Sequence, residues 1–231
     1  MLYGTDGIAM ETTQQDIAQH LLIIYDRLEG HFGDLHWWPA DSPFEVIVGT
    51  ILTQNTAWRN ATYAIAQLKG ADILSPQGIS ATPLDTLATL IKSSGCYHVK
   101  AKRLAAFVRF LYDEYGGILD SMFAQDQWLL RKKLLQIHGV GNETADSILL
   151  YAGAKPIFVV DAYTRRILER HGLLSGRERY NEIQALLMNN LPTRTSLFNQ
   201  YHALLVNLGK TFCQKNKRCA ACPLEGLGDN R

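Results

Sequence analysis

The segment from Leu134 to Asp161 constrains this chain more than any other. Apolar residues at helical spacing run as far as Ile137, stop over His138-Gly139-Val140-Gly141, and resume from Ala145. The pattern predicts a helix, a hairpin too tight for side chains at two positions, and a second helix. Gly139 and Gly141 are expected to supply positive φ and let the backbone come close to a ligand. The N–H groups that open the second helix then point into the hairpin, where they favour an anion such as a phosphate. An ordinary helical hairpin with two glycines carries the same local pattern, so other segments have to decide between the two.

The chain has 231 residues, room for one or two domains. With 47% apolar and 19% charged residues it reads as a soluble globular protein. No apolar stretch approaches the roughly eighteen residues that span a bilayer, so no membrane is expected. The N-terminus lacks a positive segment followed by an apolar one, so it is not a signal peptide, and the expected location is cytoplasmic. Residues 1–12 read as a disordered tail, with Met10 as an alternative start to Met1. A net charge of +1 carries no argument for nucleic acid, but its distribution does. Residues 1–91 hold three Lys/Arg against ten Asp/Glu, and residues 92–231 hold twenty against twelve. That asymmetry is expected when one surface meets phosphates, although chance segregation produces it too.

Helical spacing recurs at Leu21, Leu22, Ile24, Tyr25 and Leu28, and at Phe44, Ile47, Val48, Ile51 and Leu52. It continues at about 59–68, 83–92, 99–115, 127–136, 142–154, 162–171, 179–190 and 195–211. Asp41-Ser42-Pro43, Ser75-Pro76-Gln77-Gly78, Gly116-Gly117 and Ser175-Gly176 punctuate these stretches. Period-two alternation is scarce, and Ile157–Val160 is too short to build a sheet. The fold class is all-α.

The Leu134–Asp161 segment, Ser42-Pro43-Phe44-Glu45, Thr50-Ile51-Leu52-Thr53-Gln54-Asn55-Thr56, Ser94-Gly95-Cys96-Tyr97 and Cys213–Cys222 stand in a defined order. Together they resemble the endonuclease III superfamily of DNA glycosylases, with its helix–hairpin–helix and Gly/Pro…Asp signature, over roughly residues 37 to 228. The resemblance implies two helical domains with a cleft between them. One is a central domain of residues 42–156; the other comprises 13–41 plus 157–231 and ends in a Cys-rich loop. It implies that the hairpin, through His138, Gly139, Val140, Gly141 and Thr144, contacts duplex DNA containing a damaged base. A monomer is expected.

Asp161 precedes a predicted helix and reads locally as its N-cap. In the family the same position also presents its carboxylate to the deoxyribose, where it stabilises the oxocarbenium-like state of base loss. Glu143 occupies the place at which strand-nicking members carry the lysine that forms a Schiff base. Glutamate cannot form that imine, so the resemblance implies a monofunctional glycosylase. Trp37 and Trp38, before Pro39, read either as core anchors or as the stacking surface for a flipped base. A Trp face suits a cationic base, and this motif set is most similar to the endonuclease III-related branch that removes 3-methyladenine. Gln54 and Cys96 align with the side chains the family inserts into the DNA stack; a buried structural role fits Cys96 equally. Lys100, Lys102 and Arg103 read either as phosphate contacts or as a solvated helical face.

Cys213, Cys219 and Cys222 do not form a secreted disulfide pattern and suit metal binding in a reducing compartment. They resemble the family's loop for a [4Fe–4S] cluster. The fourth thiolate should stand at Gly228, beside Asp229; Lys215, Lys217 and Arg218 would lie over phosphates. The alternatives are an open-corner cluster with water or Asp229 as fourth ligand, an empty relic site, and zinc with His202. The function expected is hydrolysis of the N-glycosidic bond of an alkylated purine. Its rivals are a bifunctional glycosylase and lyase for oxidised pyrimidines, and a DNA-binding module without catalysis.

Overall fold

The computed structural model describes residues 14–214, 216 and 218–227. Its helices are α1 (Gln14–Phe32), α2 (Pro43–Leu52), α3 (Trp58–Gly70), α4 (Pro76–Ala81), α5 (Leu84–Leu90), α6 (Tyr97–Tyr115) and α7 (Leu119–Phe123). They continue as α8 (Gln127–Leu134), α9 (Asn142–Ser147), α10 (Ala162–Arg170), α11 (Tyr180–Asn190) and α12 (Thr195–Thr211). Among the described residues there is no strand, and no helix is long and apolar enough to cross a membrane. The 1–12 tail and the choice between Met1 and Met10 lie outside the described residues.

Two compact units emerge, with limits that differ from the expected ones. The first comprises 1–34, 162–192 and 204–231, the second 35–161 and 193–203. Residues 35–41 join the second unit because Trp38 packs on Trp58 and Tyr151. Residues 157–161 join it because Phe158 sets its ring edge-on to Phe198 and Tyr201 of early α12.

In the first unit α1 packs on α11, burying Leu21, Ile24 and Leu28 on one side and Ile183 and Leu187 on the other. In the second unit α2 is the axis. Every residue from Phe44 to Leu52 is buried, the polar Glu45 and Thr50 included, as befits a largely apolar helix at the centre of its unit. Its start is encoded locally: the Ser42 side chain accepts the Glu45 N–H at 3.2 Å, and Pro43 takes the first turn, where no N–H is needed. Glu45 accepts in turn from the Asp41 N–H at 3.0 Å and from Lys69 Nζ at 2.9 Å.

Ser75-Pro76 repeats that start. Ser75 accepts the Gly78 N–H at 2.9 Å, so the expected break opens α4 instead. Helices as short as α4 and α7 offer too few turns for their periodicity to register. At the end of α6, Gly116 adopts φ 61° while the Gly117 N–H donates to Leu111 O, the left-handed closure that glycine permits.

Candidate active site and nucleic-acid interface

All the elements of the candidate active site and of the hairpin lie in the second unit. Helix α8 begins at Asp126, whose side chain accepts the Trp128 and Leu129 N–H groups. Helices α8 and α9 are locked together by Arg131, which gives Nε to Asp146 Oδ1 at 2.6 Å and Nη2 to Oδ2 at 3.0 Å. Its Nη2 also reaches Asn142 Oδ1 at 3.2 Å. Asp146 is wholly buried, and a bidentate pair supplies the hydrogen bonds that buried charges need.

Between these helices Gly139 turns at φ 85°, and a Cβ there would stand 2.4 Å from Arg103 Cγ. Gly141 corrects the expectation of two constrained glycines. It is extended at φ −94°, with nothing within 4 Å of a built Cβ. Its value is different, since no side chain caps α9 and the first-turn N–H groups are left to an outside acceptor. His138 is exposed, whereas Val140 and Thr144 are buried. The side chains of Val140 and Thr144 therefore do not serve as DNA contacts; they hold the hairpin.

Gln54, the expected wedge, is turned inward. Its Nε2 donates to Gly139 O at 3.0 Å and to Thr144 Oγ1 at 2.9 Å, and its Oε1 accepts from Arg103. The exposed tip of that turn is Asn55, at φ 52°. Cys96 is likewise exposed and left-handed, at φ 45°, which removes the buried-structural alternative.

Lys100 is corrected most. It is 2% exposed and cannot reach a phosphate. Its Nζ donates to Leu52 O at 2.8 Å, Thr56 Oγ1 at 2.7 Å and Ser94 O at 2.6 Å, and Thr56 Oγ1 also donates to Ser94 O. One ammonium thus ties the turn that presents Asn55 to the turn that presents Cys96. Three neutral acceptors satisfy all its protons, while burial holds its pKa below the usual lysine value. Lys102 remains exposed, and with Arg109 and His138 it lines an open groove beside the hairpin.

Asp161 ends the apolar run that follows α9. Its Oδ2 lies 3.7 Å from His202 Nε2, and both side chains are nearly buried. His202 Nδ1 stands 2.5 Å from the Tyr151 hydroxyl. The Asp161 approach is longer than a hydrogen bond, so it is the Tyr151 contact that orients the imidazole. Burial, then Asp161 and Glu143, push the Tyr151 pKa well up, which keeps its proton available to donate. Glu143 is open to solvent along part of its length, yet its carboxyl is crowded by protein. That burial first, and the Asp161 carboxylate second, push its pKa up to about 7.

Beyond Tyr151 lies an aromatic group. Trp38 stacks on Tyr151 with centroids 5.0 Å apart, and meets Trp58 edge-on at 5.1 Å and Trp37 at 6.4 Å. Trp38 holds φ 70°, an outlier for a bulky residue, and its indole lies on Gly49, where a Cβ would be 3.4 Å from Nε1. Both tryptophans are half-buried, anchoring one another while leaving surface uncovered.

Tyr151, Trp58 and the His202–Asp161 pairing escaped sequence reasoning. The signal for Tyr151 was its place eight residues after Glu143 on one helical stretch. That stretch passes into a π-helical turn over Ile148–Ala152, with the Gly153 N–H on Ile148 O. Such turns recur at functional sites.

In the first unit Cys213, Cys219 and Cys222 line one pocket with Arg170 and His171. All three are free thiols. Burial raises the Cys222 pKa, and Cys213 and Cys219 add to that effect, so the sulfurs sense one another. Arg170 Nη1 lies 3.1 Å from Cys213 Sγ, and Arg166 Nε donates to Cys213 O at 2.8 Å. Thiols facing each other under a guanidinium are the soft, charge-compensated donors that an iron–sulfur group takes. Among the described residues no three His, Cys, Asp or Glu donors are gathered around the place of a single metal ion. His202 belongs to the second unit. Gly228, Asp229, Lys215 and Lys217 lie outside the described residues; Arg218 is exposed.

The model of the HhH-GPD superfamily base excision DNA repair protein matches residues 48–193. A relative from Methanocaldococcus jannaschii, provisionally named DNA repair glycosylase MJ1434, is 43% identical over 203 residues, covering 87% of this chain and 92% of its own. A solved non-covalent endonuclease III–DNA complex is 23% identical at TM-score 0.79, covering 92% of this chain and 95% of that one. The 3-methyladenine DNA glycosylase of H. pylori (MagIII), solved with 1,N6-ethenoadenine, is 27% identical at TM-score 0.68, covering 85% and 97%.

Proposed function

Since the chain belongs to the HhH-GPD superfamily of base excision DNA repair proteins, and is a DNA glycosylase of that pathway, we propose that it is monofunctional and removes an alkylated purine such as 3-methyladenine from duplex DNA. The observation that carries this reading is the Glu143 carboxyl beside Asp161. Lyase chemistry needs an amine there, and the buried amine of this unit, Lys100, is spent on three acceptors elsewhere.

The mechanism follows from the residues around Asp161. Breaking the bond between sugar and base sends its electron pair to the base and leaves positive charge on the deoxyribose. The Asp161 carboxylate stabilises that charge. His202, oriented by Tyr151, stands beside that carboxylate with Nε2 3.7 Å from Oδ2. Water adds at the anomeric carbon and its proton passes to Glu143, whose pKa of about 7 suits a base working at neutral pH. An N-alkylated purine already carries positive charge, so it departs neutral and needs no added proton. The Trp37, Trp38 and Trp58 surface suits a flat cation, and the likeness to MagIII supports that choice of base.

The reading extends to a [4Fe–4S] cluster held by Cys213, Cys219 and Cys222, to action as a monomer, and to a cytoplasmic location. When bound, the cluster would supply structural support beneath the loop bearing Arg218.

The deciding experiment incubates the protein with duplexes carrying single damaged bases, with and without borohydride. Free 3-methyladenine, intact strands until alkali is added, and no trapped adduct are expected. A borohydride-trapped covalent complex, or release confined to oxidised pyrimidines, would overturn the proposal.

A further inference from the structure

The cysteine pocket offers three thiols where a four-iron cluster has four corners. Gly228 stands where the spacing calls for a fourth thiolate, and the residue before it, Leu227, is described. Its carbonyl oxygen lies 2.6 Å from His171 Nδ1. His171 follows α10 directly and lines the same pocket as the three cysteines.

A carbonyl only accepts, so this contact places the imidazole proton on Nδ1. In the neutral ring the lone pair is then on Nε2, the nitrogen able to bind iron. Histidines that ligate metals are oriented in this way, by giving the other ring N–H to a carbonyl. The last described residue of the loop, Leu227, therefore meets a histidine whose tautomer is already set for coordination. Resting on the reading that this pocket holds a cluster, we infer that His171 Nε2 is the fourth ligand, giving a cluster bound by Cys213, Cys219, Cys222 and His171.

Two consequences separate this from an open corner. A nitrogen ligand leaves a hyperfine coupling on the reduced cluster that thiolate or water does not. Exchanging thiolate for imidazole also raises a cluster's potential, so His171→Cys should lower it.

The test uses the full chain, purified anaerobically and reduced with dithionite, with natural-abundance or 15N-labelled histidine. Iron, sulfide and zinc analysis comes first, then pulsed EPR and redox titration of the wild type, His171→Ala and His171→Cys. Expected are iron and sulfide in equal amounts and a nitrogen coupling that changes with the isotope. His171→Cys should retain the cluster, lose the coupling and shift to lower potential. His171→Ala should lose the coupling and bleach in air about tenfold faster. If His171→Ala fails to fold, as circular dichroism would reveal, the wild-type isotope effect and His171→Cys still decide. A cluster without nitrogen coupling, or a coupling that survives in either variant, overturns the assignment to His171 alone. Wild-type protein holding zinc, or neither iron nor sulfide, overturns the cluster itself.

Discussion

Replacing Lys100 by methionine removes one charge and little volume, and it tests whether the two exposed turns depend on a single buried ammonium. Three hydrogen bonds of 2.6–2.8 Å are lost. Bonds from a charged donor contribute about 1.5–3 kcal/mol each, which bounds the gross loss at about 4.5–9 kcal/mol. Two effects offset it. The ammonium no longer has to be desolvated, a cost of several kcal/mol for a buried ion. Ser94 O also keeps its bond from Thr56 Oγ1, so the acceptor truly orphaned is Leu52 O, at the end of α2. The net destabilisation should be about 3 kcal/mol, or roughly 6–12 °C in Tm for a protein of this size. Urea titration and thermal denaturation followed by circular dichroism measure it. Because Lys100 joins the turns bearing Asn55 and Cys96, the affinity for a duplex with an abasic-site analogue should fall about tenfold, while undamaged duplex binds as before. A variant that melts within 1 °C of wild type and binds both duplexes unchanged would refute the reasoning, since the turns would then hold themselves.

Asp161→Asn should retain fold and DNA affinity while excision drops by at least about a hundredfold in single-turnover assays, the scale of one lost pre-organised electrostatic contact. Glu143, with its carboxyl raised to about 7, should give excision a limb that rises with pH near 7, absent in Glu143→Gln. The same group favours the folded state in its protonated form. Its contribution is full below about 4.5 and is lost as pH climbs to about 7. Glu143→Gln should therefore be more stable than wild type by about 1 kcal/mol at pH 8, a figure discounted for solvent access, and no more stable at pH 4. Gly139→Ala should cost about 1–2 kcal/mol for its left-handed backbone. It should also push Arg103 off Gln54 and weaken DNA binding about tenfold, whereas Gly141→Ala, with open space and extended φ, should leave the fold unchanged.

What was legible in the sequence is what acts over short range. The Ser42-Pro43-Phe44-Glu45 start, the turn at Gly139, the long amphipathic helices and the grouping of three cysteines all depend on residues within a few turns of each other. Lys100 shows the opposite case. Its partners are a carbonyl 48 residues away, a hydroxyl 44 away and a carbonyl six away, so its charge suggested phosphate when the fold had assigned it to the interior. Gln54 likewise meets Gly139 and Thr144 across 85 and 90 residues. The Tyr151–His202 contact spans 51, and no periodicity reports a pairing of that kind. Ser75-Pro76 failed for a different reason: the same dipeptide opens helices and ends them, and only the Gly78 N–H on the Ser75 side chain decides which.

The π-helical turn at Ile148–Ala152 makes chain length, rather than composition, the information carried by this stretch. In an uninterrupted α-helix each residue advances about 100°, so a position eight residues on from Glu143 would sit about 80° around the axis from it. Absorbing one residue lets Tyr151 swing back toward the face of Glu143, and the electrostatic influence of both Glu143 and Asp161 on Tyr151 agrees with that placement. Apolar exchanges at Ile148, Leu149 or Leu150 would disturb packing by degrees. Deleting one of these three residues would instead leave a smooth helix whose tyrosine, now seven positions on, sits about 20° from Glu143, so the tyrosine would keep its direction while every residue after it moves by one place.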